Sequence, residues 1–88
     1  MLNPISTNRF LKDVKLSRKR GFNIEKLKNI ITLLRENKEL PKKCRPHLLS
    51  EEWDDCWECH ITPDWLLIYR FTENEIHFLR TGTHSDLF

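Results

Sequence analysis

The stretch Trp65-Leu66-Leu67-Ile68-Tyr69 decides the fold, because five consecutive apolar or aromatic residues leave no polar face. Successive side chains of a β-strand point to opposite faces of the sheet, so this segment predicts a strand that is buried on both sides. Such a strand lies at the centre of a sheet. We therefore expect helices to cover one face and another part of the chain, not identified by the sequence, to cover the other.

The neighbouring segments predict the strands beside this one. Residues 57 to 61 and 75 to 81 are rich in aromatic and β-branched residues, as is the wider central segment, residues 64 to 71. The polar tripeptide Thr72-Glu73-Asn74 is typical of a hairpin turn between the last two strands. The second half of the chain therefore predicts a mostly antiparallel sheet.

The first half predicts a helical hairpin. Residues 1 to 5 are expected to form a short edge strand, and residues 6 to 8 offer three N-cap side chains for a helix that ends near Arg20. Gly21 favours a stop there. A second amphipathic helix is expected from Asn23 to near Asn37. The predicted fold is an α+β domain spanning residues 1–88, with the hairpin packed on one face of the sheet.

Composition limits the class of protein. The chain has 88 residues, of which 39% are hydrophobic and 32% charged, which is typical of a small folded domain rather than a disordered segment. The N-terminus lacks the apolar run of a secretory signal, and no segment reaches the ~18 apolar residues of a membrane span. We therefore expect a cytoplasmic protein without a membrane partner.

Charge divides the chain into opposite halves. Residues 1–45 contain 13 Lys or Arg against four Asp or Glu, whereas residues 46–88 contain two against nine. The basic half would attract a phosphate backbone or an acidic protein segment. A solvated helix surface would show the same composition, so charge alone leaves these three interpretations open.

The pentapeptide Cys56-Trp57-Glu58-Cys59-His60 fits the C-x-x-C-H pattern of haem attachment. In a strand, however, Cys56, Glu58 and His60 would share one face, and Cys59 would point to the other. The two thiols could not then hold one cofactor, and a structural zinc site would need more ligands than this motif supplies. We expect no cofactor and no metal, with Cys59 as a small buried residue and Cys56 without a role.

Titratable and aromatic side chains gather in the sheet-forming half, near predicted strand ends. Histidine can accept or donate a proton near neutral pH, and a set of histidines and carboxylates beside aromatic rings suits RNA cleavage without a metal. A base would take the 2′-hydroxyl proton, an acid would protonate the leaving 5′-oxygen, and a cation would stabilise the phosphorane. For any single histidine, an ordinary exposed residue is the alternative. The set comprises His47, Glu58, His60, Asp64, Trp65, His84 and Phe88.

Two linked blocks carry a family resemblance. The segment His60 to Tyr69 (HITPDWLLIY), followed by Leu79 to Phe88 (LRTGTHSDLF), resembles the C-terminal half of YafQ toxins, a branch of the RelE superfamily of toxin–antitoxin systems. Phe10 to Lys15 (FLKDVK) and the basic segment ending at Gly21 fit the N-terminal half. The resemblance covers essentially the whole chain.

This resemblance implies a ribosome-dependent mRNA endonuclease that cuts in the A site, with a microbial-ribonuclease-like fold and no metal. It also implies a cognate antitoxin, and contact with operator DNA only as part of the toxin–antitoxin complex. The family's catalytic residues map onto His47, His60, Asp64 and His84, and its further site residues, expected to bind substrate, map onto Glu58, Trp65 and Phe88. His84 is the candidate general acid, although sequence does not separate acid from base among the histidines; His47 or His60 is expected to act as the base or to contact the phosphate, and Asp64 to orient a histidine. Arg80 is added as a candidate for phosphate stabilisation, with a structural role as the alternative.

Two departures from the family pattern leave an alternative function open. Residues 50–55 form an acidic loop, and Trp57 stands where the family often has Arg. Negative charge beside an RNA site weakens phosphate binding. The alternative is therefore a catalytically weak or inactive module that binds an antitoxin and operator DNA, and a haem or metal protein is a third possibility that rests on the C-x-x-C-H motif alone.

Overall fold

The computed structural model describes residues 1–50, 53 and 55–88 of the chain. These residues form three α-helices, five strands and one short 3-10 helix. The helices are α1 (Asn8–Lys19), α2 (Ile24–Arg35) and α3 (His84–Leu87), and the 3-10 helix is Lys42–Cys44. The strands are β1 (Asn3–Ser6), β2 (His47–Leu48), β3 (Trp57–Thr62), β4 (Trp65–Phe71) and β5 (Glu75–Gly82).

The apolar segment lies at the centre of the sheet, as predicted. Strand order in the described sheet is β1-β5-β4-β3-β2, which places β4 in the middle. Strand β1 pairs with β5 in parallel, and the other pairs are antiparallel. All five residues from Trp65 to Tyr69 are buried. The predicted α+β fold with a mostly antiparallel sheet is confirmed.

The helix ends follow from local chemistry. The Thr7 hydroxyl accepts a hydrogen bond from the backbone N–H of Phe10 at 3.0 Å, which caps α1. Gly21 has φ +81°, a left-handed conformation that glycine adopts at little cost, and it follows the end of that helix. The Asn23 side chain then accepts from the N–H of Glu25 at 3.1 Å and caps α2. Both predicted helices are confirmed within a few residues of the expected bounds.

The two faces of β4 belong to two separate apolar cores. On one face, Trp65, Leu67 and Tyr69 pack against buried residues of the helices. On the other face, a smaller core contains Leu66 and Ile68. Fully burying a side chain of this size stabilises the fold by about 1.5–3 kcal/mol. The helix-side partners are Phe10, Leu27, Ile30, Leu34, Cys44 and Cys59, and the partners on the other face are Cys56, Leu87, Leu49, Trp53 and Leu79.

The two cores decide the meaning of the cysteine motif. Cys59 of β3 lies in the helix-side core and Cys56, just before β3, lies in the opposite core, so the two thiols lie on opposite sides of the sheet. One haem could not bond both. The structure also corrects the expectation for Cys56, which is buried in the smaller core rather than without a role. Within the described ranges, no helix has the length and apolar character needed to cross a bilayer.

Candidate active site

The fold brings three of the four predicted catalytic residues together where β3, β4 and β5 meet at one end of the sheet. In antiparallel pairing, β3 and β5 end where β4 begins. His60 of β3 and Gly82 of β5 both pair with Leu66, one on each side of β4. Asp64 lies in the turn that enters β4, and His84 lies two residues beyond Gly82. These connections place His60, Asp64 and His84 close together at one end of the central strands.

The carboxylate of Asp64 fixes the orientation of His84. Its Oδ1 accepts the backbone N–H of His84 at 3.0 Å and lies 2.6 Å from the ring Nδ1. A carboxylate only accepts, so Nδ1 carries a proton and Nε2 is left for proton transfer. The backbone and ring hydrogen bonds from His84 hold the pKa of Asp64 below its usual range. Asp64 is therefore ionised at neutral pH and keeps this contact.

Backbone carbonyls orient the other two predicted catalytic histidines. Nδ1 of His60 lies 3.3 Å from the carbonyl of Pro63, and Nδ1 of His47 lies 3.0 Å from the carbonyl of Arg45. Because carbonyls only accept, each Nδ1 donates. The two Nε2 atoms then flank Oε1 of the buried Glu58, at 3.4 Å for His47 and 4.0 Å for His60.

The two histidine groups lie side by side. The ring centroids of His60 and His84 are 5.8 Å apart, with the rings tilted by 50°. One ring is supported by the exposed carboxylate of Asp64 and the other by the buried carboxylate of Glu58. Two imidazoles held this way can act on opposite sides of a bound phosphodiester, one removing a proton and the other donating one.

Helix α3 carries His84 and is held by a network that the sequence interpretation missed. The Thr83 hydroxyl accepts from Asp86 N–H while the Asp86 carboxylate accepts from Thr83 N–H, which forms a capping box. Arg20 donates to the same carboxylate at 2.6 Å. Gly82 fits closely, since a Cβ there would lie 2.9 Å from Asp86. The T-x-x-D pattern of residues 83–86 was the available sequence signal.

Phe88 follows α3 and is 63% exposed. Its backbone N–H donates to the carbonyl of His84 at 2.9 Å. A ring this exposed is accessible to a base, and the stacking role that the resemblance implies for Phe88 stays a prediction.

The structure corrects the prediction for Trp65. Alternation along β4 directs this side chain toward the helices, where it is 2% exposed and packs against Phe22 with ring centroids 5.1 Å apart. A ring enclosed in this way is not available to stack on a base. Its Nε1 has no hydrogen-bond partner among the described residues. Trp65 supports the turn that carries Asp64 instead of presenting a face to substrate.

The sequence left Arg80 as either a phosphate contact or a structural residue, and the structure favours the structural role. Its guanidinium donates to the carboxylate of Asp13 on α1, at 2.7 Å from Nε and 3.3 Å from Nη2. The backbone N–H of Thr81 donates to the same carboxylate at 3.1 Å. Because Asp13 already neutralises the charge of Arg80, the predicted phosphate contact is not the role that this geometry supports.

Two other expectations concern charge and metal. The acidic positions Glu51, Glu52 and Asp54 lie outside the described residues. Trp57, where the family often has Arg, packs at the border of the helix-side core. Among the residues that the structure describes, no three His, Cys, Asp or Glu side chains are arranged to hold a metal ion.

The helical hairpin on a five-stranded sheet, with histidines and carboxylates gathered at one end of its central strands, is the arrangement expected for the toxin family that the sequence resembles. Residues 2–88 match the family model for the bacterial toxin of type II toxin-antitoxin systems, YafQ. The chain therefore belongs to the YafQ family.

Individual relatives agree with this assignment. The mRNA interferase toxin YafQ of Escherichia coli strain B / BL21-DE3 is 43% identical over 83 residues, which cover 93% of this chain and 90% of that protein. The crystal structure of the E. coli DinJ-YafQ complex matches with a TM-score of 0.93 and 40% identity, over 100% of this chain and 99% of the matched chain. The crystal structure of a metal-bound toxin from Helicobacter pylori matches with a TM-score of 0.94 and 36% identity, over 100% of both chains.

Proposed function

We propose that this protein is the toxin of a type II toxin–antitoxin system and acts as an mRNA interferase, an endoribonuclease that cuts mRNA in the ribosomal A site and so inhibits translation. The observation that carries the proposal is the pair of imidazoles, His60 and His84, held 5.8 Å apart by separate hydrogen-bond partners. Relatives of 43% and 42% identity are described as mRNA interferase toxins.

The proposed reaction is attack of a 2′-hydroxyl on the adjacent phosphate. Neutral His60 removes the hydroxyl proton through Nε2, and Glu58 stabilises the imidazolium that forms. The P–O5′ bond breaks as His84, protonated on both ring nitrogens, gives its Nε2 proton to the leaving oxygen. The products are a 2′,3′-cyclic phosphate and a 5′-hydroxyl end. His47, beside Glu58, supplies positive charge to the phosphorane, and Phe88 stacks on a neighbouring base.

We further propose that this reaction needs no metal. Every proton and charge in the scheme is assigned to a side chain, and the described donor groups do not form a three-ligand cluster. The H. pylori relative is described as metal-bound, so the point needs a direct test. Toxin that has been stripped with a chelator and then desalted should cleave at an unchanged rate. Restoration of a lost rate by one added transition metal would contradict metal independence.

The proposed partners are a cognate antitoxin, the ribosome and its mRNA, with operator DNA contacted only through the toxin–antitoxin complex. With these partners, the proposed location of the protein is the cytoplasm. The E. coli relative has been crystallised as a DinJ-YafQ complex, which supports an antitoxin partner for this chain. The excess of basic residues in positions 1–45 supports contact with RNA or with an acidic antitoxin segment.

Cleavage on translating ribosomes tests the proposal. Purified toxin is added to a reconstituted translation reaction, and mRNA ends are mapped by primer extension. We expect cuts at fixed positions within codons, dependent on ribosomes and suppressed by antitoxin. A folded toxin that binds antitoxin tightly but produces no cuts would favour the inactive binding module instead.

A further inference from the structure

We propose that Lys26, Lys43 and Arg45 form a subsite that binds the phosphate backbone of the RNA strand next to the scissile bond, an inference that rests on the proposed function. All three side chains line one cavity of about 350 Å³. His60 and Thr62 line the same cavity, so the three cations open directly onto one of the proposed catalytic residues. The volume is near the lower end of the range for small-ligand sites, about 300–1,000 Å³.

The backbone that carries two of these cations is anchored by the buried residue between them. Cys44 lies in the helix-side core within the 3-10 helix, and Lys43 and Arg45 on either side of it are exposed. Arg45 has φ +45°, a left-handed conformation that is uncommon for a residue other than glycine. Its carbonyl also holds the ring of His47. A strained residue that joins a basic cavity to a catalytic histidine fits the tendency of backbone strain to occur at functional sites.

The charges of this subsite are not neutralised by the described part of the protein. Lys26, Lys43 and Arg45 form no ion pair with any described carboxylate, whereas four other cations do. Most of the remaining lysines and arginines have no such pair either, so what distinguishes these three is the cavity that they share. Cations without an ion-pair partner can bind the phosphates of a nucleic acid, and the counterions released on binding favour the complex. The paired cations are Arg20, Lys28, Lys38 and Arg80.

The position of Lys26 favours a nucleic-acid strand over an acidic peptide. Lys26 and Thr62 also line a second cavity, of about 510 Å³, together with Asp64 and Thr83. The two cavities therefore flank the turn between β3 and β4, and a strand running through them would pass the proposed catalytic residues. A peptide partner would need apolar anchors. A groove that offers them, lined by residues that include Leu40, Trp57 and Phe71, lies at the opposite end of β3 and β4.

Binding of a single-stranded RNA oligonucleotide tests the subsite. All proteins are full-length and carry His84→Ala, so that cleavage does not interfere, and affinity is measured by fluorescence anisotropy across a salt titration. Each phosphate contact to single-stranded nucleic acid contributes about −0.7 to the slope of log K against log salt. The triple variant Lys26→Gln, Lys43→Gln, Arg45→Gln should therefore flatten the slope by about 2.

Two matched variants make this result specific. Lys12→Gln, Lys15→Gln, Lys19→Gln removes the same charge from exposed positions on α1 and should leave the slope nearly unchanged. Lys26→Arg, Lys43→Arg, Arg45→Lys preserves the charge and should restore it. Equal losses in the two Gln triples would overturn the proposal in favour of a net-charge effect. Unchanged RNA binding with lost antitoxin affinity would overturn it in favour of a protein contact.

The same design separates this inference from the proposed function. If wild-type toxin fails to cut mRNA on ribosomes while the subsite triple still loses RNA affinity, the nuclease proposal fails and the RNA-binding subsite stands. If wild-type toxin cuts mRNA and the triple binds RNA as tightly as its parent, the nuclease proposal stands and the subsite is disproved.

Discussion

Two regions of the molecule differ in how their charged side chains are hydrogen-bonded. One is the interface between α1 and β5, and the other is the end of the sheet that carries His84. At the interface, the nearly buried carboxylate of Asp13 accepts hydrogen bonds from Arg80 and Thr81. At the edge, Asp64 and His84 are more than half exposed, and His84 Nε2 has no partner among the described residues. A charged side chain whose hydrogen bonds are all made within the protein, such as Asp13, has a structural role. A side chain with a ring nitrogen that faces solvent and is unpaired among the described residues, such as His84, can bind a substrate.

The comparison matters because both groups come from the same C-terminal block. Arg80 and His84 are four residues apart, and both are candidates for the site from the sequence. In the structure, Arg80 is turned to α1 and His84 to the edge of the sheet. Variants of the two residues test whether Arg80 acts in stability and His84 in cleavage.

The largest effect is expected for His84→Ala. Removing a positioned general acid should lower the rate of mRNA cleavage by about 10²–10⁴-fold, while the thermal unfolding temperature stays unchanged because the side chain is exposed. Cleavage is measured on translating ribosomes, with Ser85→Ala, an exposed neighbour in α3, as control. Wild-type cleavage by His84→Ala would remove His84 from the chemistry.

Arg80→Gln should have the opposite profile. It leaves the carboxylate of Asp13, whose side chain is 10% exposed, without its cation, and breaking a buried pair in this way should lower the free energy of unfolding by about 3 kcal/mol. Denaturant unfolding measures the loss, and Arg70→Gln, which changes an exposed arginine of β4, is the control. Stability equal to wild type together with lost cleavage would return Arg80 to the phosphate-binding role that was the other option from the sequence.

The sequence was sufficient for the fold because its signals are local. The apolar run of residues 65–69 requires a strand covered on both faces, and the caps at Thr7 and Asn23 start the two helices. Alternation along β3 also separated Cys56 from Cys59 without knowledge of the partners. Each of these inferences depends on a period or a spacing that lies within one element.

The roles of Trp65 and Arg80 could not be predicted in the same way. Alternation shows that Trp65 shares a face with Leu67 and Tyr69, but it does not show which face the helices cover. The partner of Arg80 is Asp13, 67 residues away, and no local pattern links them. The set of site residues was therefore predicted from the sequence through the family resemblance. Burial in the structure then distinguished the residues that support the site from those that face solvent.

A smaller effect is expected for Asp64→Asn, which keeps the size of the side chain and removes its charge. The His84 ring loses its ionic partner, so cleavage should fall about tenfold, less than for His84→Ala. Since the pKa of Asp64 lies below its usual range, its ionisation is complete well below neutral pH. The pH dependence of the wild-type rate near neutrality should therefore come from other groups, and a rate that follows protonation of Asp64 there would contradict this assignment.

The smallest effect is expected for Arg20→Gln, which tests the support of α3. The Arg20 guanidinium, together with the Thr83 N–H, holds the pKa of Asp86 well below its ordinary value of 3.8. A lowered carboxyl pKa stabilises the fold above the unfolded value, and this contribution is lost as pH falls below it. The pair is partly exposed, so the variant should unfold only a few degrees below wild type at neutral pH. That difference should shrink as the pH is lowered below about 4, since Asp86 becomes protonated in the unfolded chain and then in the folded one.

Thermal unfolding followed from neutral to acidic pH measures the trend, with Arg18→Gln on the same helix as control. A gap that is constant with pH would show that Arg20 acts through packing and not through the charge of Asp86.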